Sequence, residues 1–532
     1  MDTLDKVSLH QLNTFADFHT GSVENEVDAL FRGRQIYNKS SAEGCLHLAR
    51  QWVAECGSYH PKCLSRAPST LPKRVINVGE AGKSEPRLER AADQTGTYAW
   101  LSCSWGTSQL LKTTLENITD FMHAIPLKDL PPTFRDAIYL ARELDIKYLY
   151  IDALCIIQGD TNDLLEEWPK YGHYIAGAVC IFAAISSDAR NSLFRSRPGM
   201  DPLLSLKVDC HIESDKVTGH FVHFRKPMKA PHQSPLEFVM SRCWIIQEIF
   251  FAQRMIFFHQ DQLFWNCNSC LRSEGSTVAV KPIMRLDIDY VATRVLATSA
   301  SSKHNFLRPW YSLIELCSQT QLTVESDRLL ALAGLAYSVR AKINSDYAVG
   351  IWLSDLVRGL LWRCQRRLSV AKQPREYLAP TWSWVSLVAP ISYSFAASVQ
   401  PIRPHSPQLG NAPEVLDISV DRNPFGPPQV HDRYLYLSAM SQSLSDIGLH
   451  DCEFYFDLLE YEDKWLEGSD EYTCILLGQH FTDLSDEGSR WIGLLLSDSE
   501  TKSEAYSRAG VFLGPRFESS LSGWARRNFK IY

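Results

Sequence analysis

No stretch of this chain is apolar for long enough to cross a bilayer as a helix. The richest run, YIAGAVCIFAAI at 174–185, is too short and gives way to SSDAR, so no membrane span is expected. The opening MDTLDKVSLHQLN has neither the basic region nor the apolar run of a secretory signal. Positive charge is also scarce. Lys and Arg number 54 against 61 Asp and Glu, giving a formal net charge of -7. With a pI near 6.2, that balance argues against a general nucleic-acid surface. GEAGKS at 79–84 is not a Walker loop, because the gap between Gly79 and Gly82 is too short. No nucleophile elbow surrounds Ser102 or Ser104, and no strong repeat of fixed spacing is found. Cysteine is present 14 times but without dense periodic spacing. Reduced thiols and a cytoplasmic location are the expectation.

What is present is a chain of ordinary globular composition, 45% hydrophobic and 22% charged. At 532 residues it is too long for one compact core. LHLARQWVAEC at 46–56 reads as an amphipathic helix, and LPKRVINV at 71–78 as a strand. Tyr98–Cys103 reads as a buried strand, 133–145 as a helix, and KYLYID at 147–152 as a strand again. A second helical region over 163–178 is bent or restarted by Pro169, which cannot donate the helical bond. VCIFAAIS at 179–186, SRCWIIQEIFFAQ at 241–253 and RMIFFH at 254–259 continue the pattern as strand, helix and strand. The β–α–β–α–β order predicts a layered α/β domain with a mainly parallel sheet, and ligands meeting the carboxyl ends of its strands. The region from Trp310 to about Arg367 reads as helical, including 325–343 and 350–364. YLAPTWSWVSLVAP at 377–390 reads as an extended aromatic bracket, with Trp382 and Trp384 on one side of a strand. Short strands beyond about residue 430 predict a β-rich terminal domain. The resulting division is an N-terminal lead-in over 1–96, an α/β core over 97–275, a helical extension over 276–400, a linker or long loop over 401–430, and a β-rich domain over 431–532.

Cys56, His60 and Cys63 can approach one metal ion, with Cys45 as a distant fourth ligand. Their spacing is not that of a recognised finger, and no second close pair is read, so no metal is assigned and the zinc reading stays open. Cys155 with His173 is a conceivable nucleophilic pair, although buried cysteine is the plainer account.

Three blocks carry a family resemblance: YAWLSCSWG at 98–106, LPPTFRDAIYLARELDIKYLYIDALCIIQGD at 130–160, and RCWIIQEIFFAQRMIFF at 242–258. Supporting patterns follow at 322–334, 350–362 and 380–386. In this order they resemble the fungal heterokaryon-incompatibility proteins, the HET-domain family. That resemblance implies non-self recognition and programmed cell death, with a homo-oligomer or an incompatibility partner protein. The family also holds signalling scaffolds and proteins encoded beside secondary-metabolite genes. HET domains look similar to TIR domains, some of which hydrolyse NAD, which implies a Rossmann-like or TIR-like core. The TIR pattern sets a Trp four residues before a catalytic Glu, as Trp244 and Glu248 stand here. The TIR cysteine normally follows that Trp, whereas Cys243 precedes it.

On this reading Glu248 is the candidate catalytic carboxylate, holding ribose hydroxyls and stabilising positive charge as a glycosidic bond breaks. Trp244 shares its helical face and shapes a pocket. Asp152 binds ribose, orders a loop or assists water. Ser104, Gly106, Thr107 and Ser108 line a diphosphate channel through hydroxyls and backbone groups. No cofactor is assigned, and NAD is the expected substrate if the chain is an enzyme. The competing reading of Glu248 is that it caps, pairs with Arg254 or holds a domain surface.

Overall fold

The computed structural model describes residues 13–17, 34–63, 69–106, 110–167, 170–185, 188–197, 204–212, 215–225, 242–281, 307–320, 322, 325, 327–365, 371–396, 398–401, 413–419, 433–447, 452–468, 471–481, 489–499, 504–516 and 523–532. Two compact units emerge, one formed by 1–239 with 247–285 and the other by 240–246 with 286–532.

The first unit is built on an eight-stranded mixed sheet. Its elements in chain order are α1 (Glu43–Tyr59), β1 (Arg74–Asn77), β2 (Arg87–Arg90), β3 (Tyr98–Ser102), α2 (Pro132–Glu143), β4 (Tyr148–Tyr150), α3 (Thr161–Glu167), α4 (Tyr171–Gly177), β5 (Cys180–Ala184), α5 (Trp244–Phe251, of which 244–246 count with the second unit), β6 (Arg254–Phe258), β7 (Leu263–Cys267) and β8 (Leu271–Ser273). The strand order is β8-β7-β6-β5-β3-β4-β1-β2. The four inner strands β4, β3, β5 and β6 run parallel. An antiparallel pair flanks them on each side. The sheet is therefore mixed, not mainly parallel: three of its seven pairings are parallel. Sequence order alone did not show that β1, β2, β7 and β8 join by antiparallel pairings.

All residues of β3, β5, β6 and β7 are buried, as continuous apolar strands covered on both faces require. Helix α2 buries Phe134, Ala137, Ile138 and Ala141 at helical spacing, while Arg142 donates to the Val78 carbonyl at 2.9 Å. Pro169 and Trp168 lie outside the described residues, between α3 and α4. A separate three-stranded sheet pairs Asn13–Asp17 and Leu204–Ile212 with Asp215–Arg225, elements not read from the sequence.

The second unit contains α6 (Arg308–Gln319) and α7 (Asp327–Ile343), as expected. The expected helix over 350–364 is absent. Instead, Ile351–Trp352 is a strand, Leu356–Gly359 a single helical turn, and Arg363–Cys364 a strand. Gly350 has φ +92°, which a helix does not accommodate, and Trp352 and Trp362 are both buried. The aromatic bracket is likewise no strand: Trp384–Ser386 is a 3-10 turn capped by Ser383.

The C-terminal strands are β9 (Val399–Pro401), β10 (Glu414–Ile418), β11 (Leu435–Ser443), β12 (Glu453–Phe456), β13 (Thr473–His480), β14 (Arg490–Asp498), β15 (Tyr506–Arg516) and β16 (Ala525–Ile531). Their pairing closes on itself through β11, β13, β14, β15 and β16, around a core that includes Tyr472, Leu476, Trp491, Leu495 and Phe512. Strand β10 falls inside the stretch read as linker or long loop.

Candidate functional site

Strand β3 places Trp100 and Ser102 on one face, because alternate residues of a strand share a side. Both reach Glu248 of α5. The Trp100 indole Nε1 donates to Glu248 Oε1 at 3.3 Å, and the Ser102 hydroxyl donates to Oε2. Glu248 is 3% exposed. Arg254, its proposed ion-pair rival, instead donates to Cys56 Sγ at 3.3 Å and to the Val179 and Cys63 carbonyls. The Trp100 ring is itself fixed, stacked on Tyr150 of the neighbouring strand at 4.2 Å and met edge-on by Tyr171 at 4.8 Å.

Asp152 follows β4 and opens a short helical turn, Asp152–Cys155. Its Oδ1 accepts from Trp105 Nε1 at 3.0 Å and from the Ala153 amide at 2.8 Å. Glu248 and Asp152 therefore each bond into segment 100–105, one to the strand and one to the loop after it. Trp105 and Ser102, which sequence reasoning did not assign, are the residues that tie them in. The signal was present in the YAWLSCSWG block, where polar and aromatic residues end a buried strand.

The loop carrying Asp152 is held from below. Arg74 Nε donates to the Cys155 carbonyl at 2.7 Å, and its guanidinium pairs with Asp163. Asp163 also accepts from the Ile157 amide at 2.9 Å and from Lys73 at 2.9 Å. Burial alone would raise the Asp163 carboxyl, but the Ile157 amide, Lys73 and Arg74 hold it below its ordinary value. Burial dominates at Glu167 and pushes that carboxyl up. Thr113 clasps the other side of the Asp152 loop, bonding the Leu154 carbonyl at 2.6 Å.

Ser104 and Gly106 lie in the loop after β3, while Thr107 and Ser108 fall outside the described residues. Gly106 has φ +82°, and a Cβ there would sit 2.5 Å from the Asp188 carboxyl carbon. Only glycine fits so close to that side chain. An acidic group thus borders the proposed diphosphate channel, with Arg190 on its oxygens at 3.0 and 3.1 Å. The Arg190 hydrogen bonds keep the Asp188 carboxyl below its ordinary value, hence ionised.

Trp244 stands at the first position of α5. Its indole bonds Asp327, at the start of α7, countering the upward push of burial on that carboxyl. Cys155 is fully buried, and burial pushes its thiol up to about 12, which opposes thiolate chemistry at neutral pH. A cavity of about 250 Å³ in the second unit, lined by residues that include Leu353, Asp355, Val415 and Leu477, contains none of these side chains.

The cysteine cluster is better formed than its spacing indicated. Cys56 Sγ, His60, Cys63 Sγ and Cys267 Sγ lie within 4.8 Å of one another. Cys45 is not the fourth member, since its thiol faces Glu274 at 3.3 Å. The missed signal was Cys267-Asn-Ser-Cys270, the second close pair thought absent. Cys243 and Cys317 form a disulfide, contrary to the expectation of reduced thiols.

Residues 98–248 match the family described as heterokaryon incompatibility protein (HET). Searches of curated proteins and of solved structures found no match. Among the described residues no helix is long and apolar enough to cross a membrane.

Proposed function

Because residues 98–248 match the heterokaryon incompatibility family, we propose that the chain acts in fungal non-self recognition, by cleaving NAD at the carboxyl edge of the inner parallel strands, with cell death as the output. The reaction breaks the bond between nicotinamide nitrogen and ribose C1′. Water supplies the oxygen to C1′ and its proton to solvent, leaving ADP-ribose and nicotinamide. The supporting observation is the buried carboxylate of Glu248, held by Ser102 and Trp100 where β3 ends. A carboxylate beside C1′ stabilises the oxocarbenium charge that develops as the bond lengthens, and a dry setting strengthens that interaction. Asp152, half-buried at the end of β4, orients ribose or water.

The test is a time course of NAD products with each oligomeric state of the wild type and of Glu248→Gln, at matched folding. The expected result is product formation by the wild type and a loss of roughly 100-fold or more in the variant, the usual effect of removing transition-state electrostatics. Folded protein that consumes no NAD in any oligomeric state overturns the proposal.

A second reading rests on the 3% exposure of Glu248, whose oxygens are both engaged. In a signalling scaffold that carboxylate is a strut between α5 and β3. Glu248→Gln, which keeps the shape and one acceptor, then leaves cell killing intact.

A further inference from the structure

We propose that Cys56, His60, Cys63 and Cys267 bind one zinc ion, which staples α1 to the β7–β8 hairpin. Zinc with Zn–S near 2.3 Å and Zn–N near 2.0 Å places neighbouring ligand atoms of a tetrahedron about 3.5–3.8 Å apart. Cys267 Sγ stands 3.4 Å from His60 Nδ1, and the four ligand atoms together fall within 4.8 Å. The ligands come from rigid places. Cys56 is in the last turn of α1, His60 caps that helix, Cys63 closes a 3-10 turn, and Cys267 ends β7. The three cysteines are 1–2% exposed, so the ion would be shielded from water.

Charge and hydrogen bonding fit the same occupant. Three thiolates and a neutral imidazole around Zn²⁺ leave one net negative charge. Arg254, 6% exposed, lays its Nε on Cys56 Sγ at 3.3 Å, a buried cation that such an anionic centre balances. The Ser269 amide points at Cys267 Sγ at 3.4 Å, and N–H donation to sulfur favours the thiolate. Cys270, with its sulfur 3.8 Å from that of Cys267, completes the hairpin turn as a supporting neighbour. Four ligands that fill the tetrahedron leave no open position, so the ion is structural.

The full chain, purified without chelator, should carry roughly one zinc per molecule, and X-ray absorption should show about three sulfurs near 2.3 Å and one nitrogen near 2.0 Å. Stripping the ion with a strong chelator should lower the thermal midpoint, and added zinc should restore it. Cys267→Ser should lose most of the bound metal, while Cys45→Ser and Cys270→Ser keep it. The wild-type spectrum needs no variant to fold. Protein that takes up no zinc after reduction and reconstitution overturns the proposal. So does a first shell of four sulfurs, full zinc retention by Cys267→Ser, or a persistent disulfide among these thiols.

Discussion

Asp163 illustrates how one side chain supports the candidate site without belonging to it. Its carboxylate and the Arg74 guanidinium are 3% and 4% exposed, so removing one charge strands the other. Asp163→Asn is expected to cost about 3 kcal/mol, the usual penalty for breaking a buried pair, read from urea unfolding. A cost near zero would show that Arg74 finds another acceptor. The two buried acids of α3 also titrate with opposite sign. Asp163 is held low, so its contribution is present above its unfolded pKa and fades as pH falls through the folded value. Glu167 is held high, so the folded chain keeps a proton that the unfolded chain releases, and stability falls as pH rises from 4.5 through the folded value. Glu167→Gln should flatten that decline in thermal midpoint, and an unchanged pH profile would count against burial as its cause. Both acids were visible in the sequence, but their environments were not. Nothing in local spacing says that Arg74 lies beneath one and that Tyr174 meets the other.

Elements were legible where periodicity and length agreed. The helices at Pro132–Glu143 and Asp327–Ile343 and the strands at Cys180–Ala184 and Arg254–Phe258 stand close to where the pattern placed them. The segment at 350–364, GIWLSDLVRGLLWRC, failed because its apolar residues, interrupted by Ser354, Asp355, Arg358 and Arg363, fit neither a helical nor an extended period cleanly. Backbone and packing decide it instead. Gly350 adopts φ +92° with Trp384 against its Cα, and Trp384 Nε1 donates to its carbonyl at 3.3 Å. Gly350→Ala should therefore destabilise by roughly 1–3 kcal/mol, as a strained left-handed alanine with a displaced indole would. A shifted denaturation midpoint with unchanged slope is the expected reading. The 377–390 segment misled for a related reason. Trp382 and Trp384 are both fully buried, but they are delivered by a turn, with the Trp382 carbonyl accepting from Trp362 at 3.1 Å.

For the molecule as a whole, the family match over 98–248 was readable because several separated blocks keep their order, whereas sheet composition was not. One of the antiparallel joins is set by long-range pairing, where Ile76 of β1 meets Leu149 of β4. The closed C-terminal sheet was legible as strands but not as a ring, since closure depends on β11 pairing with β13 and β16. Covalent connectivity was also misjudged. Cys243 and Cys317, 74 residues apart, are bonded, and no spacing rule links them. Alkylation of the denatured chain should leave these two unmodified until reductant is added. Full labelling without reductant would return the chain to an all-thiol state.

The engagement of Glu248 by Trp100 and Ser102 reaches beyond the carboxylate itself. A substitution at either strand position removes one donor from that acid, so its setting can be disturbed while every charged residue stays in place.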